Sequence, residues 1–358
     1  MAMEVAHLVH GAAALRGHAL PSPLINCRWR CSQSRAASKS KSKSNLADHH
    51  SLSRVWAANR IFGDKRKRST ILASEKASAL IDSERKFETS ETNKFLQLTY
   101  LEGNSWLWEI MGISILVDPI LEGNLDFGLP WLYSGAKREL RNYKVENLPK
   151  VDHLLITQGL DDHCHKRTLE PLSKLYPNLH VIATPNAEFI LSKLFHRITY
   201  LEPGDTTNLQ AESGSEVIVR ASAGPVLGPP WQRPENGYFL EAREKGFSFY
   251  YEPHCVFDKK LLKKEKADVI VTPVIKQMLP AFTLVSGQED AVKLAQLLQP
   301  KYIVTVNNGD LETTGLLSRF VSPVGTVASF KVLLKEILPD AIVLEPKPGV
   351  PLEVPISC

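Results

Sequence analysis

The chain has 358 residues with 43 Lys+Arg against 39 Asp+Glu, and that charge is unevenly spread. Residues 1–70 hold 13 basic and 3 acidic side chains, leaving 30 and 36 in the rest, so a tail of +10 precedes a body of −6. The basic overall balance therefore gives no support to nucleic-acid binding by the body, and no stretch reaches the roughly 18 apolar residues needed to cross a bilayer.

The tail is rich in Ala, Ser and Arg and includes the alternating run Ser38-Lys39-Ser40-Lys41-Ser42-Lys43-Ser44. This composition matches an organellar transit peptide, with Ser content placing chloroplast stroma ahead of mitochondrion. The plastid import machinery is then the partner of this segment. The alternative is a disordered basic arm. The expected organisation is a transit peptide and basic linker over 1–70, a linker or surface helix over 71–93, one domain over 94–346, and a C-terminal tail over 347–358. Of five cysteines, Cys27 and Cys31 fall in the tail, and Cys164, Cys255 and Cys358 are scattered through the body. That spacing is neither a disulfide framework nor a zinc knuckle.

Three short strands open the body: Phe95 to Tyr100, Ser105 to Ile110 and Ile113 to Val117, joined by turns at Gly103-Asn104 and Met111-Gly112. They predict an antiparallel meander ending at Asp118-Pro119. Leu121 to Pro149 is a long irregular stretch with apolar Phe127, Leu129, Trp131, Leu132 and Tyr133. Such a loop either serves the function, for example as a lid, or covers a sheet edge. A βαβα rhythm follows: strand Leu154 to Thr157, helix Lys166 to Tyr176, strand His180 to Ala183, helix Asn186 to Phe195 and strand Ile198 to Leu201. It predicts parallel strands with crossover helices. Strands are next expected at Glu216 to Ala221, Gly237 to Glu241 and Phe247 to Tyr251, with a helix-like Phe257 to Lys264. Strands Asp268 to Val271 and Tyr302 to Thr305 flank a helix with a capping box Ser286-x-x-Glu289 and an apolar face of Ala291, Leu294, Ala295 and Leu298. A helix from Val327 to Leu338 and a strand from Ala341 to Leu344 complete the pattern. Two β-rich halves, each followed by helix–strand units, predict an α/β (α+β) fold: an αββα sandwich of two mixed sheets with outer helices.

The chemistry-bearing stretch is Thr157-Gln158-Gly159-Leu160-Asp161-Asp162-His163-Cys164-His165, at the carboxyl end of a buried strand, where open α/β sheets commonly place their sites. From about Phe95 to Leu344 the chain resembles the metallo-β-lactamase fold superfamily, in particular its lactonase-like and beta-lactamase superfamily domain members. The meander closing on Asp118-Pro119 is similar to that family's start, and its H-x-H-x-D-H signature falls on Gln158 to His163. Two signature histidines are thus Gln158 and Leu160, and the opening Gly-His is Gly103-Asn104. The strand end that carries Gly-Asp falls near Tyr251-Glu252-Pro253-His254, and the last histidine is replaced by Asn307 or Asn308. Asp162 and His163 are retained.

The resemblance implies a hydrolase with a degenerate metal site. Asp162 and His163 are the candidate catalytic residues. With His254 they are the candidate ligands of one zinc or other divalent metal ion; Glu252, Asp161 and His165 are further donors. The alternative is a metal-free loop brace. Trp231, Arg233, Asn307 and Asn308 are the candidate substrate-binding residues, the arginine fork suiting an anionic group. The alternatives are that Trp231 caps the core, Arg233 is solvated, and the asparagines are turn residues. Asp118 either orients a ligand or caps a turn. Cys164 and Cys255, each beside a histidine, read as buried structural cysteines because strand neighbours point to opposite faces. The two functional readings are a hydrolase acting on a small ester, lactone or phosphoester, and an inactive scaffold binding a small ligand or a protein.

Overall fold

The computed structural model describes residues 95–212, 214–226, 233–280, 282–307 and 309–355. The transit-peptide and linker expectations, Trp231 and Asn308 lie outside these residues.

The opening meander is β1 (Phe95–Tyr100), β2 (Trp106–Ile110) and β3 (Ile113–Val117). Met111 and Gly112 both have positive φ, 54° and 80°, which matches the two-residue turn that a right-twisted hairpin prefers. The long stretch that follows contains a short strand, β4 (Ser134–Ala136). Next come β5 (His153–Ile156), α1 (Lys166–Leu175), β6 (His180–Ala183), α2 (Glu188–Leu191) and β7 (Arg197–Tyr200). The second half starts with β8 (Thr206–Gln210), β9 (Glu216–Ala223), β10 (Asn236–Ala242) and β11 (Phe247–Tyr251). It continues with α3 (Lys259–Leu262), β12 (Val269–Pro273), β13 (Lys276–Leu279), β14 (Phe282–Val285), α4 (Gln288–Leu298) and β15 (Tyr302–Val306). β16 (Glu312–Thr314), β17 (Ser322–Val324), α5 (Val327–Ile337), β18 (Ile342–Leu344) and β19 (Pro351–Pro355) end the described chain.

These strands form two seven-stranded mixed sheets, in the orders β19-β1-β2-β3-β5-β6-β7 and β18-β15-β12-β11-β10-β9-β8. The period-two pattern of β1 sends Leu96, Leu98 and Tyr100 to the inner face, and one buried cluster joins them to Leu240, Phe249, Tyr251, Val271 and Val304 of the other sheet. Trp108 on β2 seals the contact, meeting Phe249 at 4.8 Å and 71° and Tyr251 at 5.1 Å and 83°, the edge-on geometry aromatic pairs favour. On the outer faces, α1 packs Leu169 and Leu172 against Leu154 and Ile156 of β5. Likewise α4 and α5 pack Leu294, Leu298, Phe330 and Leu334 against Ile270 and Ile303. The result is the expected αββα sandwich. Among the described residues no helix is long and apolar enough to cross a membrane.

Four local expectations are corrected. The helix expected over Asn186 to Phe195 is a 3-10 turn, Pro185–Ala187, followed by the single turn of α2. Beyond it Ser192 turns its hydroxyl back onto the Glu188 carbonyl at 2.7 Å, a local bond that competes with helix continuation. The helix-like Phe257 to Lys264 is likewise one turn, α3, capped by Asp258. The capping box at Ser286 does not form: Gly287 is the N-cap of α4, and the Ser286 amide is taken by the His254 carbonyl at 3.0 Å. The last correction concerns the C-terminal tail, because Pro351–Pro355 pairs antiparallel with β1. Without it β1 would present an open edge, and its prolines suit an edge strand that is paired on one side only.

Candidate metal centre and adjoining cavity

The site is assembled where β3, β5 and β11 end. Beyond β3, Asp118 takes a left-handed backbone (φ 42°) that non-glycine residues rarely adopt, and its amide bonds the Leu155 carbonyl at 3.1 Å. Its carboxylate is fully buried and accepts the Thr157 amide at 2.9 Å and the Thr157 hydroxyl at 2.6 Å. It also receives Nδ1 of His163 at 2.8 Å. Burial raises the Asp118 pKa above the usual carboxylate range, against the pull of His163 and Thr157. For His163 burial acts downward, but Asp118 and Asp162 outweigh it and hold the imidazole above its ordinary value. In the neutral ring, with Nδ1–H directed at Asp118, Nε2 carries the lone pair toward Asn104 and Asp162, the tautomer a carboxylate partner normally imposes. Asp118 is therefore an orienting residue, not merely a turn cap.

The turn from Thr157 to His163 is possible because residue 159 is glycine. A Cβ there would lie 2.4 Å from the Asn186 carbonyl oxygen, a backbone atom that cannot yield cheaply. Amides of His163 and Cys164 then close the turn onto the Leu160 carbonyl at 2.9 and 2.6 Å. After β11, Glu252-Pro253-His254 turns the chain so that His254 stacks toward His163, with ring centroids 5.0 Å apart.

Asp162, His163 and His254 converge: one ligand atom from each lies within 4.8 Å of the others, and all three residues are buried. Oδ1 of Asp162 and Nδ1 of His254 are buried with no hydrogen-bond partner in the structure. Buried polar atoms normally have partners, so orphans on two members of one cluster mark a place prepared for something else. A carboxylate and two imidazoles are a normal donor set for a divalent ion with an open position, and the residues fit one such ion. One neighbour competes: Nδ2 of Asn104 lies 2.9 Å from Nε2 of His163 and also donates to the Asp162 carbonyl at 3.1 Å.

The further donors considered from sequence are not brought into the cluster. Asp161 accepts the Phe127 amide at 3.2 Å, and His165 pairs with the Thr168 hydroxyl at 2.9 Å. Glu252 accepts the His254 amide at 3.1 Å, and burial pushes its carboxyl up to about 8. Gln158 sits against His254 with nitrogens 3.5 Å apart. Cys164 and Cys255 are buried and burial pushes both thiols up, which suits structural cysteines.

Asp162 and His254 also lie on the wall of a cavity of about 370 Å³. The long 121–149 stretch contributes Leu125 and Tyr133 to that wall, so it shapes the cavity, while Trp131 stays 67 % exposed. Of the candidate substrate residues, Arg233 is at the surface, paired with Glu202 at 2.8 Å, and Asn307 directs its amide to the Pro346 carbonyl at 3.4 Å. Neither is among the described residues lining the cavity; Gly309, Asp310 and Leu311, just beyond Asn307, are. Asp310 was missed from the sequence. It is bonded by the Tyr100 hydroxyl, receives the Gly103 amide at 3.4 Å, and burial pushes its carboxyl up to about 6. The Asn-Asn-Gly-Asp turn was visible in the sequence, but burial of its last residue was not.

Residues 97–307 match the family model described as Beta-lactamase superfamily domain. Comparison with curated proteins found none that matches. Among solved structures, the fold is similar to that of Igni18, a novel metallo hydrolase from Ignicoccus hospitalis KIN4/I, with TM-score 0.52 and 15 % identity over 74 % of this chain and 100 % of that one. It is similar to isothiocyanate hydrolase from Delia radicum gut bacteria, with TM-score 0.54 and 18 % identity over 73 % and 100 %. It is also similar to CmlA, a diiron beta-hydroxylase from Streptomyces venezuelae, with TM-score 0.50 and 18 % identity over 74 % and 54 %. At these identities the likeness speaks for the fold.

Proposed function

This chain belongs to the beta-lactamase superfamily, whose domain model spans more than half of its length, and we propose that it is a hydrolase of a small ester or lactone that works with a single divalent ion. The observation that carries the reading is the convergence of Asp162, His163 and His254 beside a cavity that Asp162 and His254 line, with unpartnered atoms on Asp162 and His254. A divalent ion bound there would polarise a carbonyl and supply hydroxide at neutral pH. Around it, Asp118 and Thr157 fix the His163 ring, and the apolar wall formed by residues such as Leu125 and Leu311 excludes bulk water from the reacting group. A metal-free binding scaffold is the second reading, and the Asn104 amide on the His163 lone pair is the observation that favours it.

Metal titration separates the two. Protein purified without chelator, or titrated with Zn²⁺, Mn²⁺ and Fe²⁺, is expected to hold close to one equivalent of one ion, lost in His254→Ala. Protein that stays far below one equivalent with every ion, yet binds small ligands in the cavity equally well after His163→Ala, would establish the scaffold reading. For location we propose entry into plastids, carried by residues 1–70 and supported by their Ser- and Arg-rich composition. Import of the full chain into isolated chloroplasts, with removal of the first segment, tests this; import only by mitochondria would overturn it.

A further inference from the structure

We propose that the cavity beside the triad selects a neutral or cationic organic molecule with a compact apolar body and rejects anionic ones. For the reaction this rests on the hydrolase reading; for binding it stands alone. The volume of about 370 Å³ suits a small molecule. Most of the wall is apolar, including Ile120, Leu125, Leu284, Val285, Leu311 and Val321. Its formal charges come from Asp162 and Asp310, and no lysine or arginine lies among the described lining residues.

The two carboxylates differ in use. Asp162 has an oxygen, Oδ1, that is buried and unpartnered. Asp310 is held in place by Tyr100 and the long Gly103 contact, which together leave acceptor capacity on its oxygens. Burial raises the Asp310 carboxyl only to about 6, so it is charged at neutral pH. A ligand N–H or ammonium group satisfies these acceptors. A phosphate or carboxylate would instead enter beside like charges with no lysine or arginine in the described lining to pair it, and Lys137, buried outside that lining, has its ammonium already engaged electrostatically by Glu102 and Asp310. A divalent ion on the triad offsets Asp162 but leaves Asp310. The phosphoester class is therefore the one the cavity disfavours.

The test uses three probes with one body: 2-phenylethylamine, 2-phenylethanol and 2-phenylethyl phosphate. Their affinities for the full chain are measured by calorimetry, both as purified and after chelator treatment. The amine is expected to bind at least tenfold more tightly than the phosphate, with the alcohol between them. Asp310→Asn is expected to reduce the amine-to-alcohol ratio at least threefold, with an unchanged near-ultraviolet circular dichroism spectrum as the control for folding. The proposal is overturned if the phosphate binds chelator-treated protein as tightly as the amine, if no probe binds, or if Asp310→Asn leaves the ratio unchanged. Turnover of 2-phenylethyl acetate is read separately. Absence of turnover with the binding order intact rejects the hydrolase reading and leaves the selectivity standing.

Discussion

The geometry of single side chains decides whether this site can take an ion. His163 is fixed from behind by Asp118 and Thr157, so its free nitrogen points into the cluster whatever occupies it. In front, the Asn104 amide takes that lone pair. Loading an ion means breaking this bond, and the net value of one such bond is about 1 kcal/mol. Asn104→Ala is therefore expected to tighten metal binding by roughly three- to tenfold, measured by competition with a metal indicator, with His254→Ala abolishing binding in both backgrounds. Weaker binding in Asn104→Ala would mean that Asn104 is itself a ligand. At this scale the sequence was informative where chemistry is local: Asp162 and His163 are adjacent, and His254 follows a recognisable strand end. It set Asn104 where the resemblance expects a histidine but not against His163, 59 residues away, and it did not bring Asp310 to Tyr100, 210 residues away. Arg233 carries a guanidinium suited to an anionic group, yet Glu202 engages it at the surface.

Whole elements were legible when their own residues carry the pattern. The meander, β5 with α1, and α4 with its buried Ala291, Leu294, Ala295 and Leu298 all declare themselves through apolar periodicity. The elements that went unseen are short and polar, such as β16, all of whose residues are exposed, and β8, whose Leu209 alone is buried. They become strands because a partner supplies the ladder, distant for β16 on β4 and β19 on β1, and the next strand, β9, for β8. The turn between β5 and α1 has the opposite character, since it depends on one residue. A Cβ at position 159 would press on the Asn186 backbone between β6 and α2. Gly159→Ala is thus expected to cost about 2–3 kcal/mol, the usual price of overpacking, and to loosen metal binding by displacing Asp162 and His163. A urea melt reads the first effect and the metal titration the second. An unchanged midpoint would show that α2 moves aside freely.

Two sheets closed face to face, with Trp108 wedged onto Phe249 and Tyr251, leave little freedom at the strand ends where the site is built. That rigidity lets polar groups from remote segments be buried together, and it makes stability depend on their charge. Tyr100 at the end of β1 and Asp310 beyond β15 meet at this rim, with Glu102 also acting on the aspartate. Burial raises the Asp310 carboxyl from its ordinary 3.8 to about 6 in the folded state. Between these values the native chain holds a proton that the unfolded chain has released. The stabilisation from this group is therefore full below about pH 4 and is lost as pH rises through about 6, a change on the order of 1–3 kcal/mol. This slope opposes the usual gain of stability as paired carboxylates ionise over the same range, so Asp310→Asn is the way to isolate it. Chemical denaturation of wild type and Asp310→Asn at intervals from pH 4 to 7 should show the variant gaining on wild type as pH rises, with the difference levelling off above about pH 6.5. A difference that is flat across the range would mean that Asp310 titrates alike in the folded and unfolded chain, and that the rim of the sandwich is wetter than its burial indicates.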